Sequence, residues 1–461
     1  MRTGRLFYLP IAVLLFSAQL AWGIEAGVSQ LEITPATGLQ MAGYGGKNNI
    51  STGVLDPLYV RALVFRSDER SIGFVVYDLI FPFGKEISDQ LRQRISAATG
   101  LKEVVFLSTH THSGPVIDSE PKMKKGEKIE DLPEYEQVIC EKTLDALKSA
   151  YKSLEPVQLG TGWGKVDLSY NRIKVNPDDG RVEMVWQNHQ KIPMGPVDQT
   201  VGVIKIDDLS GNTIAVLVNY ACHPVIHRRP ETNLVYSADF PGVLCREVQK
   251  GIKGGPVCIF FQGAPGDMNP YYAHSVDNPV SRLEEAGGEL ANEVMRVAGT
   301  IETRPYTGEF SVLYKIKDLE TTIRWDTEKL SSTEGDENVP ERIKRLTDKG
   351  KNFKIPLSVV LITPEIGFVG LPGEFFVKFQ QDIRQQSPVD FLFVSGYTNG
   401  AFGYFPTISA AEKGGYGAND YATYTAEGTG EHLTIEAIVA LNELLGRLRP
   451  IPAKPENGYR Y

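Results

Sequence analysis

The sequence predicts an α/β protein with a large mixed β-sheet core and flanking helices. Three observations carry that prediction. Short runs of β-branched and aromatic residues recur along the chain, amphipathic segments of helical length stand between some of them, and polar residues collect just after the apolar runs. Mixed strands and helices of these lengths pack as sheet layers covered by helices.

The strands are read as YVRALVF (59–65), IGFVVYDLI (72–80), VVFLS (104–108), TVGVIKI (200–206), IAVLVNY (214–220), VCIFF (257–261), SVVLI (358–362) and FLFVSGY (391–397). Each is short, apolar and bounded by turn residues. Helical patterns occupy KEISDQLRQRISAATG (85–100), EQVICEKTLDALKSAYKSL (136–154), EEAGGELANEVMRVAG (284–299) and TIEAIVALNELLGRLRP (434–450). NPDDGRVEMVW (176–186) reads as a hairpin, because Asp-Gly supplies the turn between two short β-prone flanks. The charged stretch Lys329 to Lys354 is expected to be a solvated helix or linker, and the tail 451–461 a loose end.

Composition sets outer bounds. The chain has 461 residues, 42% hydrophobic and 23% charged, which describes a globular protein with ample core. A net charge of -9 argues against nucleic acid, whose phosphates need a basic surface. Residues 1–23 have the features of a signal peptide: Arg2 and Arg5, then an apolar middle, then Ala21-Trp22-Gly23. Pro10, Ser17 and Gln19 leave that run short of a membrane span, and no second stretch is long enough. The expected location is therefore secreted or periplasmic. Four cysteines (Cys140, Cys222, Cys245, Cys258) fit no metal motif; Cys222 and Cys258 read as core thiols, and one disulfide is compatible with an oxidising compartment.

The polar residues are more specific. VVFLS leads into THTHSGP, IAVLVNY into ACHPVIH, VCIFF into QGAPGDMNP, EIGFVG into LPGEF, and FLFVSGY into TNGAFGYFP. In open α/β sheets, ligands bind outside the carboxyl ends of strands. His110 and His112 stand two apart, a spacing that faces both to one side if the strand continues. His223 follows another strand, and three protein ligands with one open position is the pattern of a catalytic zinc. Glu374, after its Pro-Gly turn, reads either as a helix-capping acid or as a carboxylate ligand. These residues complete the fold class with a metal site at the carboxyl ends of the strands.

The ordered series THTHSGP (109–115), YNR (170–172), NYACHP (219–224), FQGAPGDMNP (261–270), PGEF (372–375) and GAFGYFPT (400–407) resembles the neutral/alkaline non-lysosomal ceramidases. The early segment EITPATGLQMAGYGG also resembles the opening of their catalytic domain. The resemblance implies one zinc ion held by His110, His223, Glu374 and Tyr404. It implies that His112, Arg172 and Tyr416 act on the substrate, with Tyr416 twelve residues beyond Tyr404 as in that family. Gln262, Gly263 and Asp267, in the QGAPGD turn, are expected to contact substrate.

Two departures from the family qualify this. The residue after Gln262 is a serine in the ceramidases, their proposed nucleophile, and here it is Gly263. With Ala264, that glycine is expected to leave room near the metal for a bulkier group. Residues 24–461 are expected to form the catalytic domain without the C-terminal immunoglobulin-like domain of those enzymes. Ser113 is expected to bond the backbone of its own turn. The leading reading is a secreted zinc-dependent hydrolase in which metal-bound water attacks an amide or related bond of a small or lipid-like molecule. The alternatives are a true ceramidase using metal-activated water, and a non-catalytic zinc-stabilised binding protein.

Overall fold

The computed structural model describes residues 23–44, 48–117, 126, 128–227, 232–306, 308, 312–325, 352–420 and 422–448. Most of the signal-peptide expectation (residues 1–22), most of the charged stretch (through residue 351) and the tail lie outside the described residues.

Two sheets stack face to face. The larger is a nine-stranded mixed sheet in which eight strands run in the order Val257–Gln262, Thr213–Tyr220, Thr200–Asp208, Glu155–Lys165, Glu25–Glu32, Tyr59–Ser67, Arg70–Tyr77 and Val104–Ser108. Arg304–Pro305 adds to Glu155–Lys165. The second sheet has four strands, Leu313–Thr322, Asn352–Leu361, Ile366–Gly370 and Phe391–Ser395. SVVLI and FLFVSGY, read from the sequence as part of one large sheet, belong to this second one. The hairpin expected at 176–186 forms, with Ile173–Val175 antiparallel to Val182–Met184.

Period-two alternation explains why the runs are apolar on both faces. In Tyr59–Ser67, Leu63 and Phe65 point between the sheets, while Val60, Ala62 and Val64 meet the helices Lys85–Thr99 and Glu134–Lys152. In Phe391–Ser395, Phe391 and Phe393 point between the sheets, and Leu392 and Val394 face the helices Val377–Gln386 and Thr429–Leu444. Helices Asp239–Gly251 and Pro279–Thr300 cover the rest of the large sheet. The result is helix, sheet, sheet, helix. All four cysteines are free and buried, so no disulfide joins them.

Within these two sheets three strand pairs are parallel: Arg70–Tyr77 with Val104–Ser108, Thr213–Tyr220 with Val257–Gln262, and Ile366–Gly370 with Phe391–Ser395. Parallel neighbours release their carboxyl ends at the same edge. The two sheets are also tied there: Leu107 bridges to Thr398, and Asn219 donates to the carbonyls of Phe261 and Val394 at 2.8 and 3.1 Å. The polar exits of all five strands therefore open on one place. Among the described residues, no helix is long and apolar enough to cross a membrane.

Candidate metal centre

His110 and His112 do face one site, with their Nε2 atoms 3.2 Å apart. The strand pleat is not the reason. The strand ends at Ser108, and His110 takes a left-handed backbone with φ of 68°, a conformation uncommon outside glycine and found at strained functional positions. The turn, not the sheet, aims the rings.

Two of the histidines are oriented by carbonyl oxygens. His110 Nδ1 lies 2.8 Å from Ile80 O, and His223 Nδ1 lies 3.0 Å from Met268 O. A carbonyl only accepts, so each Nδ1 carries the proton and each Nε2 presents its lone pair inward. Facing those lone pairs is one carboxylate oxygen. Glu374 Oε2 stands 3.1 Å from His223 Nε2 and 3.6 Å from His110 Nε2. Burial pushes the His110 imidazole down to about 3 and His223 likewise well below its ordinary range, which disfavours the protonated forms. Lone pairs and a carboxylate converging in a buried place are what a cation requires.

Two groupings share His110 and His223. The imidazole nitrogens of His110, His112 and His223 lie within 4.8 Å of one another, whereas Glu374 is closest to His223 and His110. Glu374 reaches the centre from a two-residue parallel bridge in which it pairs directly with Tyr404. Tyr404 is buried, and burial followed by the Glu374 charge raises its phenol pKa.

Arg172 closes one side. Its Nη2 donates to Gly266 O at 2.6 Å and to Tyr404 Oη at 3.1 Å, and Nη1 reaches Asn269 Oδ1 at 3.4 Å. Its Nε is buried without a hydrogen-bond partner among the described residues. Three rings surround the guanidinium: Trp186 at 5.3 Å, Tyr404 at 5.5 Å and Tyr416 at 5.3 Å from Cζ. Tyr416 packs on Tyr404, ring centroids 5.2 Å apart, and is 38% exposed, so it stands at the mouth. Trp186, at the end of the hairpin, was not anticipated from the sequence; it is 41% exposed beside Tyr416.

The QGAPGD turn is engaged by the protein's own groups. Gln262 donates both amide hydrogens, to Thr109 O at 3.1 Å and Cys222 O at 2.8 Å, and its oxygen accepts from Cys222 N and Gly263 N. Nothing is left over for a substrate; the side chain ties together the residues just before His110 and His223. Asp267 accepts from Val377 N at 2.7 Å and Asn171 Nδ2 at 2.6 Å. It starts the helix after Glu374 and braces the residue before Arg172. Gly263 leaves no room: a Cβ there would lie 2.6 Å from Gln380 Oε1 and 2.8 Å from Ala221 Cβ. The space expected for a bulkier substrate group is already filled by protein.

Ser113 departs from expectation as well. Its hydroxyl makes no hydrogen bond among the described residues; Thr111 Oγ1 serves the turn instead, accepting from Ser113 N and donating to Ser237 O. Tyr397, which the sequence suggested only as the end of a strand, lies stacked on His110. The signal for it was its place after a glycine at a strand exit.

A family model described as neutral/alkaline non-lysosomal ceramidase, N-terminal, matches residues 24–282. Neutral ceramidase A of Dictyostelium discoideum is 26% identical over 261 residues, 53% of this chain and 36% of that protein. Neutral ceramidase B of the same organism is 26% identical over 268 residues, 55% of this chain and 36% of that protein. The matches thus span about a third of the length of these curated relatives. Among solved structures, the neutral ceramidase from Pseudomonas aeruginosa superposes with a TM-score of 0.70 at 18% identity, covering 94% of this chain and 76% of that one, which is a likeness of fold.

Proposed function

This chain belongs to the neutral/alkaline non-lysosomal ceramidase family, and from that premise we propose that it is a zinc-dependent hydrolase of N-acyl lipids or related amides that works without a serine nucleophile. One observation carries the reading. The Nε2 lone pairs of His110 and His223 converge on Glu374 Oε2, and these mutually repelling acceptors need a cation between them. Two imidazoles and a carboxylate, with Tyr404 alongside, make a donor set suited to zinc.

When bound, zinc supplies a Lewis acid that polarises an acyl carbonyl and lowers the pKa of water from 15.7 to about 7. The protein's own groups do the rest. His112, on the open side of His110, is placed to hold or pass a proton to the leaving nitrogen. Arg172 brings a buried positive charge with a free Nε to oxygen that turns negative as the carbonyl is attacked. Trp186 and Tyr416 offer an apolar rim to an acyl chain. The filled position at Gly263 favours water over an acyl-enzyme route. Ceramide itself, the substrate that the name of the neutral ceramidases implies, is the narrower form of the same proposal. Export through the segment 1–23 belongs to it too.

The test is metal analysis of the purified chain, followed by hydrolysis assays with N-dodecanoylsphingosine, N-dodecanoylglycine and dodecanoyl esters. About one zinc per chain is expected, with amide cleavage that a chelator abolishes and zinc restores. Zinc bound without turnover on any of these would favour the binding-protein reading, and absence of metal binding would overturn the centre.

A further inference from the structure

Tyr397 is held against the centre by a left-handed backbone tied to three neighbouring segments. Its ring lies face to face with the His110 imidazole, centroids 3.9 Å apart and planes 10° from parallel. Phe81 closes the side of both rings, at 5.9 Å from Tyr397 and 5.3 Å from His110. The side chain is completely buried. Its backbone has φ of 49°, which for a bulky aromatic residue is an outlier that the surroundings must enforce.

Those surroundings are the strand exits that carry the other site residues. Gly396 N–H donates to the carbonyls of Gln262 and Gly263, Tyr397 N–H to Gly373 O at 3.2 Å, and Thr398 N–H to Leu371 O at 2.9 Å. The segment is thus fastened both to the Gln262 turn and to the turn that presents Glu374. Strain fixed in this way aims one ring at one histidine.

The hydroxyl is the second observation. Tyr397 Oη has no hydrogen-bond partner among the described residues, although it is sealed from solvent. A phenylalanine would pack on His110 equally well without leaving a buried donor unsatisfied. The charged groups that act on the phenol are Glu374 first and then Arg172, both of which border the candidate metal centre.

We propose that Tyr397 contacts the substrate: its hydroxyl donates a hydrogen bond to an acyl oxygen held at the centre, while its ring keeps the His110 imidazole in plane. The proposal rests on the hydrolase reading above. In the reaction, the oxygen of water bonds to the acyl carbon, the carbon–nitrogen bond breaks, and both protons of water end on the departing nitrogen, which leaves as the ammonium while the acyl group leaves as the carboxylate. Tyr397 keeps its proton throughout, and its bond passes from the carbonyl oxygen to the product carboxylate.

The experiment uses the zinc-loaded full chain, with dodecanoate as a probe of the product carboxylate and N-dodecanoylsphingosine as substrate. Tyr397→Phe is expected to keep its zinc and its Tm, to bind dodecanoate about tenfold more weakly by calorimetry, and to lose at least about tenfold in kcat, one donor's share. Tyr397→Leu, which also removes the stacking, is expected to lose zinc affinity in addition. Wild-type behaviour of Tyr397→Phe in both binding and turnover would overturn the proposal alone. Loss of zinc or Tm by Tyr397→Phe in step with activity would make the hydroxyl structural and overturn it equally. If the wild-type chain neither binds dodecanoate nor cleaves the amide, the hydrolase reading fails first and the proposal falls with it.

Discussion

Glu374 Oε2 lies 3.1 Å from His223 Nε2, across 151 residues of sequence. Each atom is an acceptor, because His223 Nδ1 already donates to Met268 O. Two acceptors this close in a buried place repel each other unless a cation joins them. The contact is therefore the part of the site that most depends on an ion.

It follows that His223→Ala and His110→Ala should each lose most of the metal, read by metal analysis after dialysis. His112→Ala should retain metal and lose turnover by about 10²–10⁴-fold, the range of a missing acid–base group. His112 Nε2 is only 3.2 Å from His110 Nε2, so the two roles are separable only in this way. Metal loss in His112→Ala equal to that in the other two would make His112 the third ligand in place of a working acid.

Gln262 makes four hydrogen bonds, all to backbone, and they join Thr109 to Cys222. Gln262→Leu keeps the size of the side chain but strands buried backbone donors and acceptors. A cost of about 2–3 kcal/mol is expected from such unmet groups, together with weaker zinc binding, because the residues before His110 and His223 are no longer linked. Denaturant unfolding and a zinc titration measure both. If stability and zinc affinity are unchanged, with only KM raised, the original substrate-contact reading stands.

The sequence made some of this legible and hid the rest for physical reasons. Strands such as VVFLS and VCIFF were readable because they are buried on both faces, which writes a continuous apolar run. Glu155–Lys165 was not, since Gly160, Gly162 and Gly164 line one face and look like loop residues. The helix Pro279–Thr300 and the residues just after it explain them: a Cβ at those positions would meet Ile301, Val297 and Glu293 at 2.4 to 2.8 Å. In the site, histidine and glutamate declare their chemistry by type, whereas a glutamine at a strand exit does not say where its amide points. Gln262 and Asp267 were read as substrate contacts for that reason. Tyr397 was hidden more deeply, because its stacking depends on the left-handed turn at His110.

A partly buried carboxyl away from the centre gives a pH signature. Burial raises Asp56 from 3.8 to about 6, partly offset by its hydrogen bonds from Ser237 and Ala238. Below pH 3.8 the group is protonated in both folded and unfolded chains, so it contributes no difference. As pH rises towards 6 the unfolded chain ionises first, and the folded state is progressively penalised. Above 6 the penalty is complete, at most about 3 kcal/mol. The stability of wild type relative to Asp56→Asn should therefore fall between pH 4 and 6 and level off above. A difference that stays flat across that window would show that Asp56 does not titrate in the folded chain.

Restoring a serine at position 263 tests whether its absence is merely a lost group or a rebuilt site. The backbone there is not in the left-handed region, so any residue could adopt it, and the obstacle is space. Ala221 supplies a Cβ at 2.8 Å and a Cα at 2.9 Å from the new side chain, and a backbone atom cannot swing aside. Gln380 Oε1, at 2.6 Å, is occupied in accepting from Ala264 N, while its amide nitrogen donates to Asp198. Relieving the clash means breaking those bonds or shifting the strand that leads to His223. Gly263→Ser should accordingly destabilise the fold by about 1–3 kcal/mol, as overpacking does, and should not raise turnover. The wild type should show neither a burst of product nor a trapped acyl group, since position 263 carries no hydroxyl, and the variant should show neither because its new side chain is crowded by Ala221 and Gln380. A Gly263→Ser protein as stable as wild type, with burst kinetics and a covalent acyl-serine, would mean that the position is open and the serine route only dormant.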